Sequence, residues 1–432
     1  MKTVAALVLL ASVARALPEP RFDGKPEAPV PVVAAKASAA SISEADDRSW
    51  VELKTPGKAE RDAAANAGVS IEEVKPGVSG GFASPKALAR AKAAGLVVVS
   101  KVSLRQRFGA LDFPEKDAIY HNEKELVAEM RSIAGRAPGL ASMFSIGKTT
   151  QGRDMWALRL TRGASGTAPS QKPGIVFLGT HHAREHLSTE VPLLLAKYLV
   201  DNASQPEIAR LLDSRDVYFI PMVNPDGVEY DIDGGKYHMH RKNMAKNSDG
   251  SYGVDLNRNY AWGWGGGGAS ADPGDDTYRG PSAFSEPESR AVKAFVEARP
   301  NLKVLLSYHT FSELILYPWG GSDDQIPEEK PRNAFIKMAG EMAKMTGYTP
   351  EQSSALYIAT GDTCDWAWGA KGIYAFTFEL TPKSMWDGGF YPGAGAVAKT
   401  FQNNIRPALY LIDLADDPLR VLTGTPAFSA AK

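Results

Sequence analysis

The sequence predicts an α/β protein: a single large domain with a central mixed, mostly buried sheet flanked by helices, preceded by a small β/α unit. Three observations predict it. Short apolar runs of the buried-strand type occur at Ile175–Leu178, Val217–Met222, Val304–Ser307 and Ala375–Phe378. Stretches with helical spacing alternate with them, at Glu123–Ala134, Ser188–Leu199, Glu286–Glu297, Arg332–Met345 and Lys399–Asp413. A shorter pattern of strands and helices stands apart, upstream of a polar linker. Alternation of this kind argues a sheet covered by helices.

The elements follow in order. Lys2, an apolar run Val4–Val13 and Ala14-Arg15-Ala16 have the layout of a signal peptide over 1–16, so export is expected, extracellular or periplasmic. The apolar run is shorter than the roughly 20 residues that span a bilayer. Residues 17–47 are rich in Pro, Ala and Ser and read as a flexible leader. Between about 49 and 104 the pattern is β-α-β-α-β: strands at Ser49–Lys54, Val69–Val74 and Leu96–Val102, helices at Lys58–Ala67 and Pro85–Ala94. The linker SLRQRFGALDFP contains Arg105 and Arg107 and suits proteolytic nicking. A leader, a small folded unit and a basic link together suggest that 17–107 is a pro-region removed near Arg107. The large domain would then occupy 108–415, with a tail at 416–432 for which the sequence suggests no role.

Composition narrows the function classes. The 49 basic and 50 acidic residues leave a formal net charge of −1, which argues against global electrostatic capture of nucleic acid or membrane. One cysteine, Cys364, excludes an internal disulfide and a Cys-based metal site. Seven histidines are few for 432 residues, yet His181, His182 and His186 fall within six positions.

That cluster directly follows a predicted buried strand, at the strand's carboxyl end, where α/β sheets place their sites. Two metal readings fit it. In one, His182 and Glu185 form H-x-x-E, with a third ligand from a distance; imidazole and carboxylate suit zinc with an open position. In the other, His182, Glu185 and His186 form H-x-x-E-H, with Glu185 as the base of an endopeptidase. His309 ends another predicted strand 127 residues after His182 and could be the distant ligand. Glu379 is a lone carboxylate in the apolar run YAFTFEL. Burial there would raise its pKa toward neutrality, as a general base acting on water requires. Arg241, Asn257 and Arg258 offer cationic and amide donors for a carboxylate or an oxyanion.

With these residues in this order, and with the phrases HHAREHL, NPDGVEYD, VDLNRNY, TYRGPSAFSEPE, LYIATGDTCDW and YAFTFEL, the chain resembles the zinc metallocarboxypeptidases of the carboxypeptidase A/B family. Within it the T type, secreted and bacterial, is most similar. The resemblance spans about 112–415. It implies one Zn2+ held by His182, Glu185 and His309, which favours the first metal reading and makes His186 a neighbour. It further implies Glu379 as general base and then acid, Arg241 as oxyanion stabiliser, and Asp255 as the carboxylate orienting His182. Asn257, Arg258 and Tyr357 would grip the substrate's terminal carboxylate, and Arg184 would contribute to substrate binding.

In the segment forming the family's side-chain pocket, Cys364 stands where the A type has a branched apolar residue and the B type Asp. Asp362 matches the T type. Hydrophobic or mixed hydrophobic and basic specificity is therefore expected, unless Asp362 turns away or pairs with a neighbour. The expected function is a secreted metallocarboxypeptidase made as a zymogen. Its partners would be peptide or protein C-termini and an activating protease, with no nucleic acid and no membrane, and the protein would be a monomer. The competing functions are an H-x-x-E-H endopeptidase and an inactive peptide-binding relative.

Overall fold

The small N-terminal unit runs β1 (Ser49–Lys54), α1 (Lys58–Asn66), β2 (Ser70–Lys75), β3 (Val78–Ala83), α2 (Pro85–Ala93) and β4 (Val98–Ser103) in the computed structural model. The structure describes residues 48–103, 117, 119–163, 166–235, 237–424 and 426–430. The signal and leader expected at 1–47 and the cleavage point expected near Arg107 lie outside the described residues.

The small sheet has the order β2-β3-β1-β4, all antiparallel. Strand β3, VSGGFA, is the element the periodicity does not predict, because its two glycines erase the alternation. A Cβ at Gly80 would collide with the Trp50 ring, and one at Gly81 with the Ser70 carbonyl. Close packing is what demands glycine at both. Val51, Leu53, Ala64, Leu88 and Ala91 form the unit's own core. Trp50 and Phe82 instead join Met239, Phe311, Met385 and Phe390 of the large unit.

The large unit continues with α3 (Glu123–Arg136), β5 (Ala141–Lys148), β6 (Asp154–Leu160), β7 (Gly174–Gly179), α4 (Leu187–Asp201), α5 (Pro206–Ser214), β8 (Asp216–Ile220) and α6 (Pro225–Asp231). Then come α7 (Pro287–Glu297), β9 (Leu302–Thr310), β10 (Leu314–Tyr317), α8 (Glu329–Thr346), β11 (Thr349–Gln352), α9 (Thr363–Lys371), β12 (Tyr374–Leu380), α10 (Gly395–Leu414) and α11 (Arg420–Thr423). Eight strands form one mixed sheet in the order β11-β10-β12-β9-β7-β8-β6-β5.

The four predicted strands are its contiguous parallel centre, β12-β9-β7-β8. Side chains alternate across it. Ile175 and Phe177 enter a core layer with Leu195 and Leu411, while Val176 and Leu178 enter another with Val292, Phe295 and Ala367. Burial on both faces is why these strands read as unbroken apolar runs. The outer strands β5, β6 and β10 pair antiparallel with their inner neighbours and carry more mixed sequences, so the runs do not announce them.

The tail is also structural. Val421 and Phe428 are buried in the main core, and Arg406 donates to the Ser429 carbonyl. Among the described residues no helix is long and apolar enough to cross a membrane.

Candidate active site

Strands β7, β9 and β12 run parallel and adjacent, so the residues at their carboxyl ends are brought together. After β7 the chain turns at Thr180, whose φ is +52°. The turn is pinned by Thr180 N–H donating to Ser188 Oγ and Ala183 N–H donating to the Arg241 carbonyl. His182 and Glu185 are thereby fixed beside His309, which pairs in register with Glu379 on β12.

His182 Nδ1 lies 2.7 Å from Glu185 Oε1, and His309 Nδ1 lies 2.9 Å from Glu185 Oε2. The two Nδ1 atoms are 3.2 Å apart. Each ring's Nε2 is occupied on its outer side, at Asp255 Oδ1 for His182 and at Ser307 Oγ for His309. With the ring protons on Nε2, two nitrogen lone pairs and a carboxylate face one point. That arrangement repels itself unless a cation sits there, and the donor set suits zinc. Among the described residues this is the group of three whose ligand atoms converge, all within 4.8 Å.

The other clustered histidines turn elsewhere. His186 Nε2 meets Asp231 Oδ2 at 2.8 Å. His181 Nε2 meets the Tyr260 hydroxyl and Thr363 Oγ1.

Asp255 joins the donor set to the cationic side of the site. Its second oxygen accepts from Arg241 Nε at 3.0 Å, and Arg241 Nη1 stands 3.9 Å from Glu185 Oε1. Against the cost of burial, Arg241 and His182 hold the Asp255 carboxyl well below the usual range. Glu379 moves the opposite way. Burial, then the charges of Glu185 and Glu72, push its carboxyl well up, although Arg241 and Arg258 oppose this.

A cavity of about 560 Å³ is lined by His182, Glu185, His309, Arg241, Asn257, Arg258, Tyr357, Asp362, Thr377 and Glu379. Asn257 Oδ1 accepts from the Thr363 N–H and hydroxyl, so its NH2 is the group left to offer a ligand. Arg258 is braced by Gly268 and Asn257 carbonyls. Asp362 caps α9, its Oδ1 accepting from Cys364 and Asp365 N–H. Cys364 lies one layer behind the lining, with Sγ 3.1 Å from Thr377 Oγ1, and burial pushes its thiol well up.

Arg184 also stands behind the lining. It is fully buried between the Phe82 and Phe390 rings and pairs with Asp276 and with Glu72 of β2. Glu72 and Asp276 are the site residues sequence reasoning missed. In SIEEVK and DPGDD they look like any solvated acids; the docking of β2 over the cavity reveals Glu72, and the pairing with Arg184 reveals Asp276.

A model of the zinc carboxypeptidase family matches residues 126–406. The chain belongs to that family. It is 35% identical over 326 residues to a zinc carboxypeptidase of Saccharothrix mutabilis subsp. capreolus, covering 73% of this chain and 74% of the relative. It is 32% identical over 291 residues to carboxypeptidase A1 of Bos taurus, covering 66% and 67%. In fold it is similar to the crystal structure of carboxypeptidase A from Helicoverpa armigera, with a TM-score of 0.72 at 21% identity, covering 86% of this chain and 97% of that one.

This zinc carboxypeptidase is accordingly a peptide hydrolase that uses one catalytic zinc and acts on peptide C-termini. Its cavity is also bordered by the small unit, through Arg61 and the β2 residues Ile71 to Lys75. The Tyr357 hydroxyl donates to the Ile71 carbonyl, and Ser312 Oγ donates to the Glu72 carbonyl. Around this seam Arg48 pairs with Asp276, Arg90 with Asp272 and Asp275, and the Ile358 N–H donates to Asp62.

Proposed function

We propose that the chain is the secreted zymogen of a carboxypeptidase in which His182, Glu185 and His309 hold the zinc and Glu379 is the general base. The observation that carries this is the convergence of two Nδ1 atoms and one carboxylate, with both Nε2 atoms tied off, beside a half-buried Glu379 whose carboxyl is pushed up. Zinc in that set supplies a Lewis acid that polarises a carbonyl and acidifies water.

The chain's own residues do the rest. Asn257, Arg258 and Tyr357 grip the terminal carboxylate, which fixes the last peptide bond and no other over the base. Glu379 takes a proton from the attacking water and returns it to the leaving amine. Arg241, aimed by Asp255, donates to the oxygen as negative charge grows; such a donor is worth about 3 kcal/mol. Asp362 in the side-chain pocket favours mixed specificity, with Lys or Arg accepted beside hydrophobic residues. Cys364, behind Thr377, contributes bulk to that wall. Arg184, held by Glu72 in the uncut chain, turns to substrate after activation.

The docking of β2 supports latency. Its Glu72 occupies Arg184 and stands 3.8 Å from Arg241, and its carbonyl groups take the donors of Tyr357 and Ser312 that a substrate would use. Secretion rests on the N-terminal pattern, and activation near Arg107 on the linker composition. The test compares uncut and cut protein on peptides ending in Phe, Leu, Lys, Arg or Glu. Near-silence before cleavage, then single-residue release with hydrophobic and basic ends preferred, is expected. Full activity in the uncut chain would refute latency, and a preference for Glu would refute the role of Asp362.

A further inference from the structure

His181 has no part in the proposed ligand set, yet it is fully buried between that set and the carboxylate grip. Its Nδ1 lies 3.3 Å from Ser307 Oγ, which also sits 3.1 Å from Nε2 of His309. Its Nε2 lies 3.1 Å from Thr363 Oγ1 and 3.0 Å from the Tyr260 hydroxyl. Thr363 in turn reaches Asn257 Oδ1 with its hydroxyl at 2.9 Å and with its backbone N–H at 3.0 Å.

The direction of each bond in this chain is forced from the two ends. A backbone N–H can only donate, so the Asn257 atom facing Thr363 is the amide oxygen, and the NH2 is left for the cavity. The Thr363 hydroxyl spends its hydrogen on the same oxygen, so toward His181 it can only accept. Burial keeps the His181 ring neutral. Its single proton is therefore on Nε2, where the Tyr260 oxygen shares it, and Nδ1 is an acceptor. At the other end His309 commits Nδ1 to the ligand set, so its Nε2–H donates to Ser307. The Ser307 hydroxyl then passes its own hydrogen to His181 Nδ1. Four hydrogen bonds point one way, from His309 through Ser307, His181 and Thr363 to Asn257.

Hydrogen bonds aligned head to tail polarise one another. A cation held at His309 Nδ1 makes the Nε2–H a stronger donor, and the same bias at the far end makes the Asn257 NH2 a stronger donor to a carboxylate. We propose that His181 is a positioning residue that couples the zinc set to the grip on the substrate's terminal carboxylate. Filling one end tightens the other, and the effect is equal in both directions because coupling between two sites is reciprocal. The inference rests on the carboxypeptidase reading of His309 as a ligand and Asn257 as part of the grip.

The test compares the full chain after limited proteolysis with the variants His181→Met and His181→Gln. The two replacements are alike in length and bulk. The glutamine carbonyl can accept from Ser307 and its NH2 can donate to Thr363, whereas the thioether has no hydrogen to donate. Zinc affinity is measured by chelator competition, with and without saturating 4-methylpentanoate, which is leucine stripped of its amine. In the unmodified protein the carboxylate should raise zinc affinity about fivefold or more, the low end of coupling between sites. His181→Met should lose that enhancement and His181→Gln should keep most of it. As a spectroscopic readout, 15N NMR of labelled histidine in the zinc-loaded unmodified protein should find His181 protonated on Nε2 and bare on Nδ1.

An enhancement of equal size in the unmodified and His181→Met proteins, or none in the unmodified protein, would overturn the proposal and leave the carboxypeptidase reading intact. Enhancement lost alike from both variants would reduce the ring to a structural role and overturn it too. A proton on His181 Nδ1 would do the same, and that readout needs no variant, so it decides even where His181→Met does not fold. Zinc retained undiminished by His309→Ala, or not bound by the unmodified protein, would overturn the proposed function together with the inference.

Discussion

Asp255 accepts from His182 Nε2 with one oxygen and from Arg241 Nε with the other, so a single buried carboxylate positions a proposed ligand and the proposed oxyanion donor. Replacing it would leave the His182 ring and the buried Arg241 guanidinium misaligned, and losses of such outer partners at metal sites cost about 10–100-fold in affinity or activity. Asp255→Asn should therefore weaken zinc retention, measured by metal content after dialysis against a weak chelator, and lower kcat as well. His182→Ala and His309→Ala should each bring the metal content near zero. His186→Ala, whose ring is turned to Asp231, should keep it. Zinc lost from His186→Ala but kept in His309→Ala would restore the H-x-x-E-H reading. Glu379→Gln should keep the metal and lose about 10²–10⁴ in kcat, the usual range for a general acid–base. These residues were legible because their chemistry is local: histidines clustered after one strand, a histidine ending another, a carboxylate in an apolar run. Glu72 was not, since nothing in SIEEVK distinguishes a docked acid from a solvated one.

Elements were legible in proportion to their burial. The parallel centre β12-β9-β7-β8 reads directly from apolar runs. Strand β3 is hidden by the glycines that let it pack on Trp50 and Ser70, and α9 is set by the cap of Asp362 more than by any amphipathic stripe. Strand β2 carries the proposed latency, and the Glu72–Arg184 contact at 2.7 Å is its centre. Hydrogen bonds to charged groups contribute about 1.5–3 kcal/mol. Glu72→Gln should thus raise the activity of the uncut chain roughly tenfold or more, read as product release before any cleavage. The start of α3 is tied to α4 by His121, which donates its backbone N–H and brings its ring to Glu190. Burial disfavours the imidazolium, but the Glu190 carboxylate outweighs it and raises the pKa from 6.5 to about 9. A group raised on folding stabilises fully below its unfolded pKa, and loses that contribution as pH climbs through the folded one. The stability difference between the native chain and His121→Gln should be about 1–3 kcal/mol near pH 6 and shrink above about pH 9. Urea midpoints at both pH values measure it; a difference that does not change with pH would mean the ring is neutral.

At the scale of the whole molecule, the small unit is joined to the large one by an apolar seam, Trp50 and Phe82 on Phe311 and Phe390, ringed by Arg48, Arg90 and Glu72. The two-unit layout was visible in the sequence as a break in pattern before the linker. Which face docks was not, because that depends on the three-dimensional meeting of two surfaces. The tail was opaque for a related reason: Val421 and Phe428 fill gaps left by α8 and α10, and no periodicity marks a gap-filler. The central claim is that the assembled site hydrolyses the last peptide bond only. Time-resolved mass spectrometry of one peptide with the zinc-loaded, cut protein tests it most directly. The account predicts a ladder of products, each shorter by one residue from the C-terminus, abolished by amidating the terminal carboxylate. Internal fragments formed equally from the free and the amidated peptide would contradict it.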